Sequence, residues 1–304
     1  MSHHTTAAAE TPASWLKIAA FAAIYIIWGS TYLAIVFAIE TLPPFLMAGL
    51  RFLLAGALLY TFARFKGAQA PSKIHWRSTF IIGGLLLLVG NGAVVWAEQY
   101  VASGIAALLV TTEPLWIVAL QWAGKEKTKP NKIVLLGMLI GIVGMLVLVN
   151  PWEAAGSIEL WPSLVIFIAA GAWALGSLYS NSAPLPSSQV LTTGMQMLCG
   201  GALLLLAGTV AGEWQTTQWS AVSQQSWLAF GYLVVFGSLI AFTAYSWLTR
   251  VAPPAQVSTY AYVNPVIAVF LGWALANEEI TLQTLAATAL LVTAVVIITL
   301  NSKH

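Results

Sequence analysis

The chain has 304 residues, of which 59% are hydrophobic and only 7% charged, with a formal net charge of +2 and a mean hydropathy of +0.84. Soluble domains carry about 25% charged residues, so this composition excludes an ordinary soluble enzyme, and so small a net charge is no footprint for nucleic acid. Aspartate is absent, and no HExxH, CxxC, GxSxG or phosphate-cradling glycine loop occurs, so no catalytic residue, metal or cofactor is expected.

A short tail, 1–14, precedes the first apolar stretch at 15–38. That stretch is too long for a cleavable signal peptide, and the tail before it lacks the basic residues such a leader needs. Trp28 and Tyr32 lie deep in it, four apart and so on one helix face. The second stretch, 43–65, carries Arg51 roughly 12 Å from its start at a rise of about 1.5 Å per residue. The third, 76–99, holds Asn91 at a similar depth and ends near Glu98, which reads as a solvated cap. The fourth, 102–122, contains Glu113 roughly 16 Å in, then Pro114 and Trp116. The fifth, 132–149, bears the stripe Gly137, Gly141 and Gly144, a close-packing seam that joins either the repeats or two protomers. Trp173 lies mid-span in the sixth, 159–181; Thr192, Gln196 and the single Cys199, expected to be buried, lie in the seventh, 187–211. The eighth spans 226–248. Tyr260, Asn264 and Pro265 fall in the ninth, 254–276, and the tenth, 281–300, precedes the tail 301–304. Each stretch approaches the roughly 20 apolar residues that cross a bilayer, which predicts an all-α polytopic membrane protein of ten transmembrane helices.

Apart from Arg51, every Lys and Arg within or between these stretches falls at alternate ends. Lys17, Arg64, Lys66, Lys73, Arg77, Lys125, Lys127, Lys129, Lys132, Arg250 and Lys303 lie at one end; the opposite connections carry only Glu40, Glu153, Glu159, Glu213, Glu278 and Glu279. Cytoplasmic loops accumulate Lys and Arg, so both termini are expected in the cytoplasm. Trp15, Trp76, Trp161, Trp219 and Trp227 sit near span ends, as interfacial anchors do.

The halves resemble each other. Gly29-Ser30-Thr31-Tyr32 parallels Gly176-Ser177-Leu178-Tyr179; Val101-Ala102 leading to Glu113-Pro114 and Trp122 parallels Val251-Ala252 leading to Asn264-Pro265 and Trp273. A repeat of five spans is odd, so the second copy enters from the other side, giving inverted repeats over 15–150 and 151–300. Such repeats mark transporter folds with a midplane substrate site.

Trp28-Gly29-Ser30, Pro43 through Arg51-Phe52, Glu113-Pro114, and Tyr262-Val263-Asn264-Pro265 followed by Glu278-Glu279 together resemble the EamA family of the drug/metabolite transporter superfamily, and within it bacterial aromatic amino acid exporters of the YddG type. The resemblance covers roughly 15–300. It implies a ten-helix, inverted-repeat carrier in the bacterial inner (plasma) membrane, moving amino acids out of the cytoplasm and using no enzymatic step.

Within that frame a buried charge needs a partner or a wet cavity. Depth suggests an Arg51–Glu113 pair, open to three roles: a structural lock, direct substrate contact, or proton coupling through Glu113. Pro114 and Pro265 remove a backbone donor at equivalent places, freeing carbonyls near Val110 and Ala261; either packing kinks or hinges result. Trp28, Tyr32, Asn91, Trp116, Trp173, Gln196, Tyr260 and Asn264 are the substrate-cavity candidates, deep aromatics serving as packing or as lining beside a few polar groups. The expected partners are a small-molecule substrate and the lipid bilayer. The leading function is a secondary amino acid exporter. The runner-up is a broader drug or metabolite carrier, and more distant readings are a membrane enzyme using Glu98, Glu113 and Arg51, or a scaffold.

Overall fold

The computed structural model describes residues 14–124, 129–149, 159–252, 257 and 259–301, and all regular structure among them is helical. Ten helices follow the apolar stretches: α1 Ser14–Ile39, α2 Pro44–Phe65, α3 from Lys73 to Ala97, α4 from Ser103 to Ala123, α5 Lys132–Val149, α6 Leu160–Ser182, α7 Gln189–Val210, α8 from Gln224 to Val251, α9 Tyr260–Ala276 and α10 Leu282–Asn301. Nine are long and apolar enough to cross a membrane among the described residues, and α9 contributes a shorter apolar helix, Val263–Ala276. The lengths follow from the hydrocarbon thickness, and helices are the open-chain solution that bonds every backbone group internally.

The packing repeats itself about a pseudo-twofold axis. α2 lies against α7 and α5 against α10, each helix on its counterpart in the other half; α1 contacts α8 and α9, while α6 contacts α3 and α4. Apolar side chains gain little by leaving lipid for protein, so close approach of backbones supplies the packing. Glycine makes that approach at the α2–α7 crossing. A Cβ on Gly56 would stand 2.8 Å from the Leu198 nitrogen and 2.9 Å from the Gly194 oxygen, and one on Gly201 2.9 Å from the Leu53 nitrogen. The stripe on α5 seats α10: Cβ atoms on Gly137 and Gly144 would lie 2.9 Å from Ile297 and 3.0 Å from Leu290. That seam therefore joins the two repeats. Gln283 fastens it further, donating to the carbonyls of Val147 (3.0 Å) and Leu148 (2.8 Å).

Three helices depart from regular geometry. α3 carries a π-helical segment, Gly84–Asn91, and its counterpart α8 carries another, Leu233–Ala241. α4 is broken into Ser103–Val110 and Glu113–Ala123, with Pro114 in the first turn of the second piece. Pro265 lies within continuous α9. The five interfacial tryptophans named above are all exposed. Cys199, expected to be buried, is free and half-buried, with its Sγ 4.0 Å from Thr79 Oγ1; α7 turns it toward the partly open face beside α3.

Candidate functional site

The π segments bring the two halves together at one cavity. In each half a tryptophan of the first helix lies on a glycine in the π segment of the other half. Trp28 Nε1 donates to the Gly237 carbonyl (3.4 Å), and a Cβ on Gly90 would stand 3.0 Å from the Trp173 ring. A π turn offsets backbone carbonyls and residue spacing locally, which is why such segments recur at functional sites. Here they set one glycine per repeat against a large side chain and leave a space between the repeats. That space is lined by Trp28, Tyr32, Arg51, Asn91, Glu113 and Trp173, with Phe242, Tyr260 and Asn264 among its further walls.

A second cavity continues from it. Glu113, Trp173, Phe242 and Tyr260 line both, and from them the second reaches past Gln196, Thr192 and Gln189 to Gln121, Asn181 and Leu185. Gln121 lies at the end of α4 that adjoins the Lys-bearing connection, and Asn181 and Leu185 lie at the α6–α7 link, which carries no Lys or Arg but falls at the same end by the alternation of the spans, so the central cavity communicates with the basic end. At the other end, Val94, Ala97, Val101, Ile105, Leu108, Leu148 and Ile166 form a packed apolar cluster with α10.

Two glutamates lock that acidic end. Glu278 accepts from Ser103 N (2.8 Å), Ser103 Oγ (2.6 Å) and Gly104 N (3.1 Å) at the start of α4. Glu213 accepts from Phe45 N (3.1 Å) and Leu46 N (2.8 Å) at the start of α2. Both helix starts have N-cap residues, Ala102 and Pro43, that provide no side-chain bond. The orphan N–H groups of a helix start need acceptors, and a carboxylate also suits the positive end of the helix dipole. In both cases the acceptor belongs to the second half and the helix to the first. These capping glutamates escape a reading that treats them only as topological markers; the missing caps at Ala102 and Pro43 were the available signal.

Most of the expected cavity residues converge. Trp28, Tyr32, Asn91, Trp173, Tyr260 and Asn264 line the central cavity, and Gln196 lines its continuation. With its amide turned so that the nitrogen faces two acceptors, Asn264 donates to the carbonyls of Tyr260 (3.3 Å) and Tyr25 (3.2 Å). Trp116 does not converge. Its Nε1 donates to the Phe167 carbonyl (2.9 Å) and its ring packs on Phe167 and over Gly171, so this side chain is spent on the α4–α6 contact. Trp28 instead heads an aromatic cluster with Phe242, Tyr245 and Tyr260; neither Phe242 nor Tyr245 was singled out from the sequence.

The expected Arg51–Glu113 pair is not formed. Both groups face the cavity, but Arg51 Nε donates to Ser238 Oγ (2.8 Å), while Glu113 Oε2 accepts from the Tyr260 hydroxyl (3.2 Å). Both side chains reach the same cavity, but each is bonded to a residue of the second half instead of to the other. The carboxylate whose charge bears on Arg51 is Glu98. Glu98 also departs from expectation: it is buried rather than a solvated cap, and neither of its carboxylate oxygens has a hydrogen-bond partner. It sits just past the end of α3, at the link to α4, close enough to Glu278 for that charge to bear on it.

Comparison with known proteins agrees with this architecture. The EamA-like transporter family matches residues 15–150 and again 160–300. The chain is 41% identical over 280 residues to the uncharacterized inner membrane transporter YedA of Escherichia coli strain K12, covering 92% of this chain and 89% of that one. It is 24% identical to the uncharacterized transporter YvbV of Bacillus subtilis strain 168, over 92% and 90% of the two chains. A solved crystal structure shares the fold at a TM-score of 0.62 and 20% identity, covering 94% of this chain and 97% of its own. With both halves matched and a relative of this similarity along nearly its whole length, the chain belongs to the EamA-like transporter family.

Proposed function

We propose that the protein is a secondary carrier of the bacterial inner membrane that exports amino acids, aromatic ones foremost, by alternating access. The observation that carries this reading is the cavity between the repeats, with aromatic walls, a few polar groups and a continuation toward the basic end. Pockets of this kind suit a small ligand with an apolar body and few polar points, and Trp28, Trp173, Phe242 and Tyr260 offer faces for a ring. The two five-helix halves, 15–150 and 151–300, would rock about the fixed site, with Pro114 and Pro265 as hinge points. Relatives named as transporters, one of them of an inner membrane, support the location. A broader drug or metabolite carrier is the second reading, favoured by the relatives' names, which specify no substrate.

The Lys and Arg bias puts both termini and the basic end in the cytoplasm, so the described conformation would face inward. Impermeant thiol reagents applied outside whole cells should then label Glu279→Cys and spare Lys129→Cys in a Cys199→Ala background; the reverse pattern overturns the orientation. Export is tested by efflux from proteoliposomes loaded with a panel of amino acids, amines and sugars, with and without an imposed pH gradient. Efflux of Phe, Tyr or Trp above protein-free vesicles supports the reading. Efflux confined to other chemical classes moves it to the second.

A further inference from the structure

Arg51 is held in a seat built by the π segment of α8. Gly237 gives the guanidinium room, since a Cβ there would stand 3.1 Å from Nη2 and 3.7 Å from Cζ, and the next residue, Ser238, accepts the Nε bond. This fixes the planar group at the cavity wall. Arg51 is 4% exposed, yet Nη1 has no hydrogen-bond partner. Glu98 does not satisfy it, because both Glu98 oxygens are themselves unpartnered. On the wall contributed by α3, at the last residue of the other π segment, Asn91 Oδ1 is likewise buried without a donor. Both residues line the same cavity as Trp28, Trp173 and Phe242.

A buried donor left unfilled is costly, and more so when charged, so such groups persist where a ligand completes them. The two free atoms have opposite appetites. A guanidinium N–H seeks a carboxylate oxygen, for which its fork is shaped; an amide oxygen seeks a donor such as an ammonium group. We propose that Arg51 Nη1 and Asn91 Oδ1 form a head-group subsite that binds the α-carboxylate and α-ammonium of a free amino acid, while the aromatic walls take its side chain. The site then rejects amines lacking the carboxylate and acids lacking the ammonium group. This rests on the reading of the cavity as the transport site.

Binding of L-phenylalanine, phenethylamine and 3-phenylpropionate to the purified protein separates the two ideas. A site built to bond a polar group rejects the analogue lacking it strongly, so each analogue should bind at least about 10-fold more weakly than phenylalanine. Arg51→Lys should lower phenylalanine affinity toward that of phenethylamine and leave phenethylamine unchanged. Equal binding of phenylalanine and phenethylamine to the wild-type protein overturns the subsite while leaving the transport reading intact. An Arg51→Lys loss shared equally by all three ligands shows a structural role and also overturns it. Failure of all three to bind the wild-type protein overturns both the subsite and the aromatic substrate class. The wild-type series needs no variant to fold.

Discussion

The Glu278 lock yields a prediction with a magnitude. Glu278→Gln removes the charge and leaves one acceptor oxygen for the three bonds now made to Ser103 and Gly104. Hydrogen bonds to a charged group contribute about 1.5–3 kcal/mol each, and the helix dipole about 0.3–1 kcal/mol. Partial replacement by the amide recovers some of this, leaving a loss of about 2 kcal/mol from the state closed at the acidic end. If these bonds break when that end opens, the open population rises about 30-fold, at tenfold per 1.4 kcal/mol. Val94 lines the cavity and packs in the apolar cluster at the acidic end, so Val94→Cys, with Cys199 replaced by Ala, reports on access from that side. Labelling by an impermeant maleimide should accelerate severalfold or more in the Glu278→Gln background, with the melting temperature lowered by only several degrees. Unchanged labelling in a protein that remains folded would refute the lock. Accelerated labelling accompanied by a collapse in melting temperature would show that Glu278 supports the fold and not the gate.

Other expectations concern packing, charge and specificity. Gly56→Ala drives a methyl into the α7 backbone and should lower the melting temperature sharply or abolish monodisperse expression, whereas Gly231→Ala, with open space around it, should be tolerated; equal effects would contradict the crossing geometry. Since Arg51 and Glu113 bond to different partners, the effects of Arg51→Gln and Glu113→Gln on thermal stability should add to within about 0.5 kcal/mol, and rescue by the double variant would restore the direct pair. Trp28→Ala or Trp173→Ala should weaken transport of phenylalanine and tryptophan more than that of threonine; uniform losses in transport assays would assign both side chains to packing.

The succession of apolar helices and the convergence of Trp28, Tyr32, Asn91, Trp173, Tyr260 and Asn264 were legible in the sequence, because hydropathy and residue rise order positions along a helix; the expected start of the ninth span at 254 lies outside the described residues. Direction around the helix axis is not fixed in that way once a helix breaks or widens. Trp116 packs on α6 although Glu113, three residues earlier, reaches the cavity, and the π segment of α8, which no residue pattern announces, carries the Ser238 that Arg51 meets in place of Glu113. Glu98 lies within a turn of the span end, which places it near the surface by count alone, whereas its burial depends on tertiary packing that a count along one span does not contain. Glu213 and Glu278 read as loop charges until the uncapped starts of α2 and α4 are considered.

The proposed carrier requires one cavity between the repeats that serves both faces of the membrane in turn, and trans-stimulation reads this out. Proteoliposomes preloaded with excess unlabelled phenylalanine should take up labelled phenylalanine faster than empty ones and accumulate it transiently above equilibrium. Uptake that is indifferent to preloading, or that rises linearly without saturation, would contradict a carrier with a single alternately exposed site.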